Sequence, residues 1–241
     1  MRALRSVLFV PGHKADWIVK ALASEADGII IDLEDAVPET QKGLARENAR
    51  RAILDYVGDK TILVRINGLD TDHFGEDARE VAVSGLAAFL LPMLRSRDDV
   101  ISFDAVIAAG EVHNFVPRGS IAVVPSFETA EAISAVEQIV NGPRVAGVMA
   151  AAAKDADISR AVGFRWSAEG LETLYLRSRI LVAARAAGLE LIVLGLWQDV
   201  RDLEGMRRFA QDNAALGYTG QVLIHPSHAA IANEEYGLSD E

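Results

Sequence analysis

Residues 28–35 read Gly28-Ile29-Ile30-Ile31-Asp32-Leu33-Glu34-Asp35. Three consecutive isoleucines show no polar alternation, so the segment predicts a strand buried on both faces, as in a parallel sheet covered by helices. It then breaks into three acids within four residues. Seven further apolar runs resemble it, at residues 7–10, 61–67, 87–92, 121–125, 145–150, 191–195 and 222–226. Helix-patterned segments fill the gaps, at 14–24, 39–55, 75–84, 97–109, 129–140, 168–187 and 200–216. Eight such strands alternating with helices in 241 residues predict an α/β fold, a (β/α)8 TIM barrel. The doubly wound open sheet ranks second, because the first strand ends in Val10-Pro11-Gly12-His13 and not in a Gly-x-Gly-x-x-Gly turn.

Residues 1–241 read as one domain, with no linker or composition shift and a short acidic C-terminal tail expected to fray from about residue 233. Lys and Arg total 24 against 35 Asp and Glu, a net charge of −11, which disfavours nucleic acid and anionic membranes as partners. The absence of cysteine removes disulfides, thiolate metal sites and cysteine nucleophiles. No run has the length of a signal-peptide core or a membrane span, so the expected location is cytoplasmic.

In a barrel of this kind the chemistry collects at the carboxyl ends of the strands. There the chain places Asp32, Glu34 and Asp35 after strand two, Arg65 and Asn67 on strand three, and Ser126, Glu128 and Thr129 after strand five. Asp155 and Asp157 follow strand six, Gln198 and Asp199 follow strand seven, and His225 ends strand eight. Oxygen donors without thiolates suit a hard cation, Mg2+ or alternatively Mn2+. Arg65 suits a substrate carboxylate, and the metal a carbonyl whose enolate it stabilises. Each residue also has a plainer reading. Asp32, Glu34 and Asp35 suit helix capping, Arg65 a structural ion pair, Glu128 and Asp157 the opening of the next helix, and His225 a buried structural histidine. His13, His73, His113 and His228 lack metal-ligand spacing, and His113 reads as a loop residue. Val136, Ile139 and Val140 suit either a subunit interface or the barrel's own packing.

The segments 5–12 and 27–37, together with Val64-Arg65-Ile66-Asn67, Pro125-Ser126-Phe127-Glu128-Thr129, Ala156-Asp157-Ile158-Ser159 with Gly163, and Ile224-His225-Pro226, resemble the citrate lyase beta-subunit-like proteins. These belong with the HpcH/HpaI aldolases of the phosphoenolpyruvate/pyruvate barrel superfamily. The resemblance implies a Mg2+-dependent carbon–carbon lyase of retro-aldol or Claisen type, acting on a carboxylate-bearing acyl-CoA such as citryl-, malyl- or citramalyl-CoA, in a homo-oligomer with a trimer favoured. By motif, Arg65 binds the substrate carboxylate, and Glu128 and Asp157 ligate Mg2+, with Glu128 also touching substrate. Glu34 and Asp35 stand beside the metal and position water. His225 is a candidate acid or base if it faces the cavity.

Three departures bear on this. Lys154 stands where relatives carry a glycine three residues before the metal aspartate, in position to pair with a carboxylate or compete with the cation. Met93 replaces a lysine at the end of strand four. The chain also stops soon after Ile-His-Pro, without the C-terminal segment of many relatives. These features keep two alternatives open: an aldolase or decarboxylase on a free 2-keto acid, and a noncatalytic carboxylate-binding relative.

Overall fold

A computed structural model describes residues 3–237. The apolar runs form eight parallel strands: β1 (Ser6–Pro11), β2 (Gly28–Asp32), β3 (Thr61–Arg65), β4 (Ala88–Leu91), β5 (Ala122–Phe127), β6 (Gly147–Ala151), β7 (Leu191–Gly195) and β8 (Gly220–Leu223). Each pairs with the next, and β8 returns to β1 to close the barrel. The helices are α1 (Ala15–Leu22), α2 (Lys42–Asp55), α3 (Phe74–Val81), α4 (Arg97–His113), α5 (Ala130–Ser134), α6 (Val136–Ile139), α7 (Asp157–Val162), α8 (Leu174–Ala186), α9 (Leu203–Leu216) and α10 (Ala229–Glu235). This is the (β/α)8 TIM barrel read from the sequence.

Two cores result from strand parity. Val7, Ile30, Leu63, Leu90, Val124, Met149, Val193 and Val222 fill the barrel's interior. Their alternates, such as Ile29, Ile31, Val64 and Phe89, pack outward beneath the helices. Continuous apolar strands are needed because both faces are covered. Among the described residues, no helix is long and apolar enough to cross a membrane.

The structure revises several boundaries. The segment expected as one helix over 129–140 divides at Ala135 into α5 and α6, a step that places Val136, Ile139 and Val140 in the core, at most 3% exposed. These three therefore serve the barrel's own packing. His113, expected in a loop, closes α4. A short helix outside the helix-patterned segments, α7, follows β6, opens at Asp157 and ends at Gly163, whose φ of 83° is the left-handed stop that glycine adopts at least cost. Strand β8 stops at Leu223, so His225 lies beyond it. Residues 233–235 belong to α10 and are tied down: Asn233 accepts from Ser6 Oγ at 2.6 Å and donates to Glu25 O at 2.8 Å. The rest of the expected acidic tail, 238–241, lies outside the described residues.

Candidate active site

The parity that fills the barrel also points charge into its mouth. On β2 the inward row runs from Ile30 to Asp32, on β3 from Leu63 to Arg65, and on β5 from Val124 to Ser126. Asp32 and Arg65 are register partners on neighbouring strands. Arg65 donates from Nε to Asp32 Oδ1 and from Nη2 to Oδ2, both at 2.7 Å, a fork-to-fork pair. The remaining capacity of Asp32, which is 1% exposed, is taken by the amides of Glu34 and Ala36, each at 3.0 Å. Burial alone would raise the pKa of Asp32, but the charge and hydrogen bonds of Arg65 and the two amides hold it below the usual carboxylate value. Burial opposes the Arg65 charge too, and Asp32 nonetheless raises its pKa. The guanidinium lies 4.9 Å from the Phe9 ring centroid, a cation–π contact. At the end of β1, Gly12 N donates to Asp32 O at 2.8 Å, and a Cβ on Gly12 would stand 2.8 Å from that same oxygen. The Pro-Gly ending of the first strand thus gives Asp32 its room.

Glu34 Oε2 lies 2.9 Å from Arg65 Nη1, but off the N–H direction, so this buried oxygen stands beside the guanidinium without a hydrogen bond. Burial pushes the Glu34 carboxyl up to about 8; Arg65 opposes this, while Glu128, Asp35 and Asp32 add to it. The group is therefore largely neutral at pH 7. Lys42 holds its loop, donating from Nζ to Leu33 O at 2.7 Å, Glu34 O at 2.8 Å and Asn67 Oδ1 at 2.7 Å. Asn67 donates in turn to Leu33 O at 3.0 Å, so it supports the site from below. Asp35 is largely exposed, 3.7 Å from Arg65 Nη1.

Glu128 is buried just past β5. Its Oε1 accepts from Ser126 Oγ at 2.8 Å and its Oε2 from Met93 N at 3.2 Å. Met93 contributes its backbone here, in a left-handed conformation of φ 52°. Burial raises the Glu128 pKa and Asp157 adds to it, against Arg65, Ser126 and Met93. The capping role belongs to Thr129, which accepts from Ala132 N at 3.0 Å and donates to Leu94 O at 2.5 Å, leaving Glu128 free of it. Asp157 does open α7, and pairs with Arg160 Nη2 at 2.5 Å.

A cavity of about 460 Å3 brings Asp32, Asp35, Arg65, Glu128, Asp155 and Asp157 together. Glu34 does not line this cavity; with Asp35 it faces an adjoining, wider cleft that shares Asp157. His225 is not among them: it is exposed, its Nδ1 2.7 Å from Ser227 Oγ, and it lines an adjoining groove of about 290 Å3 that shares Phe9, Val10, Trp17 and Ile224 with the cavity. The side chain of Lys154 does not line the cavity and makes no ion pair among the described residues. Phe9 and the Met93 amide were not recognised as parts of the site from sequence, and Asp32 was placed at the strand ends without its role as the partner of Arg65. The signal for Asp32 was its inward parity opposite Arg65.

Among the described residues, no group of three or more histidines and carboxylates is gathered to hold a metal. Magnesium does not require one, since it takes one or two carboxylates and completes its shell with water and substrate. Glu128 and Asp157 share the cavity and repel each other, a repulsion that a divalent cation relieves. The donor set therefore fits Mg2+.

Residues 5–226 match the HpcH/HpaI aldolase/citrate lyase family. The chain belongs to that family. Within the HpcH/HpaI family, it is 34% identical over 247 residues to a citrate lyase subunit beta-like protein of Deinococcus radiodurans, covering 98% of this chain and 81% of that one. It is 32% identical over 237 residues to a (3S)-malyl-CoA thioesterase of Cereibacter sphaeroides, covering 98% and 78%. Among solved structures, the citrate lyase beta subunit of M. tuberculosis complexed with oxaloacetate and magnesium superposes with a TM-score of 0.80 at 30% identity, covering 98% of each chain.

Proposed function

We propose that this HpcH/HpaI protein is a Mg2+-dependent carbon–carbon lyase that cleaves a carboxylate-bearing acyl-CoA such as malyl-, citramalyl- or citryl-CoA. One observation carries the reading: Arg65 is locked by Asp32 along one edge while its guanidinium lines the same cavity as Glu128 and Asp157. An arginine has five N–H donors, and Asp32 takes two. The others remain for a substrate carboxylate. Asp32 balances the Arg65 charge, and the Glu34 carboxyl, pushed up to about 8 mainly by burial, adds little further negative charge at neutral pH; the attraction for an anionic substrate would come from the remaining guanidinium N–H groups and a bound cation.

Glu128 and Asp157 would hold the magnesium, and when bound it supplies a Lewis acid for a carbonyl oxygen and for the enolate charge left by bond cleavage. Arg65 fixes the carboxylate end of the substrate, and the apolar wall of Phe9 and Met149 excludes water from beneath it. Cleavage requires the substrate hydroxyl to lose a proton and the carbon that loses its partner to gain one: water positioned by Asp35, exposed at the rim, would take the first, and the protonated Glu34 carboxyl beside Arg65 would supply the second. His225, in the adjoining groove and bonded to Ser227, is given no step. The oxaloacetate bound by the M. tuberculosis relative favours a second reading, a lyase or decarboxylase acting on a free 2-keto acid.

The test is to incubate the protein and Mg2+ separately with malyl-, citramalyl- and citryl-CoA and with oxaloacetate, following keto-acid formation or loss and free thiol. Lyase activity releases a keto acid without free thiol. Thiol release without a keto acid would make the chain a thioesterase, and inertness toward all four compounds would leave the noncatalytic reading. The trimer proposed from the family resemblance is tested by sedimentation velocity.

A further inference from the structure

Gln198 stands on the loop after β7, facing the loop after β6 that leads to Asp157. Its amide grips one residue at both ends: Oε1 accepts from Lys154 N at 2.8 Å, and Nε2 donates to Lys154 O at 2.9 Å. A neighbouring strand offers its partner the same two groups. The side chain provides them just where strand pairing runs out, since the β6–β7 register ends at Ala151 and Gly195, and the last backbone bond there is Ala152 N to Gly195 O at 3.0 Å.

Beyond Lys154 the chain turns sharply. Asp155 takes a left-handed φ of 54°, and α7 begins at Asp157 two residues later. The other bonds of this stretch do not anchor it to the barrel: Arg160 donates to Asp155 O at 2.6 Å and to Asp157 Oδ1 at 2.5 Å, both within the loop and its own helix. Trp166 Nε1 donates to Ala152 O at 2.9 Å, upstream of the turn, and its ring packs 5.8 Å from Trp197, next to Gln198 in the chain. The two loops thus meet through the Trp166–Trp197 pair before the turn and through Gln198 at the turn itself.

We infer that Gln198 is a positioning residue: by holding the backbone of Lys154 at both its N–H and its C=O, it fixes the turn that sets Asp157 opposite Glu128. The inference rests on the reading of Glu128 and Asp157 as the magnesium ligands. It also gives residue 154 a defined part, since Lys154 contributes its peptide groups and not its ammonium.

The test uses Gln198→Met, which keeps the length of the side chain and removes both bonds. In the metal-free protein, amide exchange at Lys154 is expected to accelerate at least about tenfold, because the amide loses its acceptor. Calorimetric Mg2+ affinity is expected to fall about tenfold, the scale of losing a residue that orients a ligand. The melting temperature should move by less than about 2 °C, as for other exposed substitutions. On an Asp157→Asn background the same change should cost no further Mg2+ affinity, because Gln198 acts through Asp157. Unchanged exchange at Lys154 overturns the inference, and so does an equal loss of affinity with and without the Asp157 carboxylate. If Asp157→Asn alone leaves Mg2+ affinity intact, the ligand assignment beneath the inference has failed instead.

Discussion

Replacing Asp32 by Asn probes the ion pair on which the site is built. The carboxylate accepts four hydrogen bonds, two from Arg65 and two from backbone amides. An asparagine has one acceptor oxygen, so half of these donors would face an NH2 group. Arg65, with a side chain 13% exposed, would keep its charge in a buried place with Glu34, Glu128 and the more distant Asp35 left to offset it. Removing one partner of a buried pair typically costs about 3–5 kcal/mol. The lower end applies here, about 3 kcal/mol, because Glu34 can ionise beside the released guanidinium and offset part of the loss. Urea unfolding should show the midpoint falling at constant slope. The double variant Asp32→Asn with Arg65→Met removes the stranded charge and should recover part of the deficit, giving a coupling well above 1 kcal/mol. A single-variant loss under about 1 kcal/mol, or strict additivity in the double variant, would refute the view that Asp32 and Arg65 form one buried unit.

Three other outcomes follow from the same contacts. Because the folded Glu34 pKa is raised from 4.5 to about 8, its contribution to stability is fully present below pH 4.5 and lost as pH rises through about 8; Glu34→Gln should flatten the stability curve across that window, measured by urea unfolding at several pH values. Lys42→Met deprives Leu33 O, Glu34 O and Asn67 Oδ1 of their shared donor, and should cost about 3 kcal/mol in the same unfolding assay. Gly12→Ala forces a methyl against Asp32 O and should cost about 1–3 kcal/mol, with a weakened affinity for keto acid as the strand end shifts.

The barrel was legible because most of the eight strands read as continuous apolar runs, the pattern of a sheet covered on both faces. Three of the candidate residues stood out by position, Arg65 as a charge closing an apolar strand, Glu128 directly after β5 and Asp157 in the loop after β6, and the structure gathers all three at one cavity. Asp32 was visible as an acid but not as the partner of Arg65, since that follows from register between strands distant in sequence. The break at Ala135 carries no proline or glycine, and arises from how α5 and α6 seat against the barrel. The sequence reading ended strand eight at His225, whereas β8 ends two residues earlier at Leu223 and the chain turns at Pro226. The backbone roles of Met93 and Lys154 had no sequence signal, for a peptide N–H leaves no trace in residue identity.

The central claim is that one cavity joins a magnesium held by Glu128 and Asp157 to a carboxylate held by Arg65. Calorimetric Mg2+ titration with and without oxaloacetate tests it most directly, run on the unaltered protein and on Asp157→Asn. Oxaloacetate is expected to tighten Mg2+ binding, and the asparagine variant to bind Mg2+ measurably more weakly and to lose the coupling. Mg2+ binding that ignores oxaloacetate, or that survives unchanged in Asp157→Asn, would contradict it.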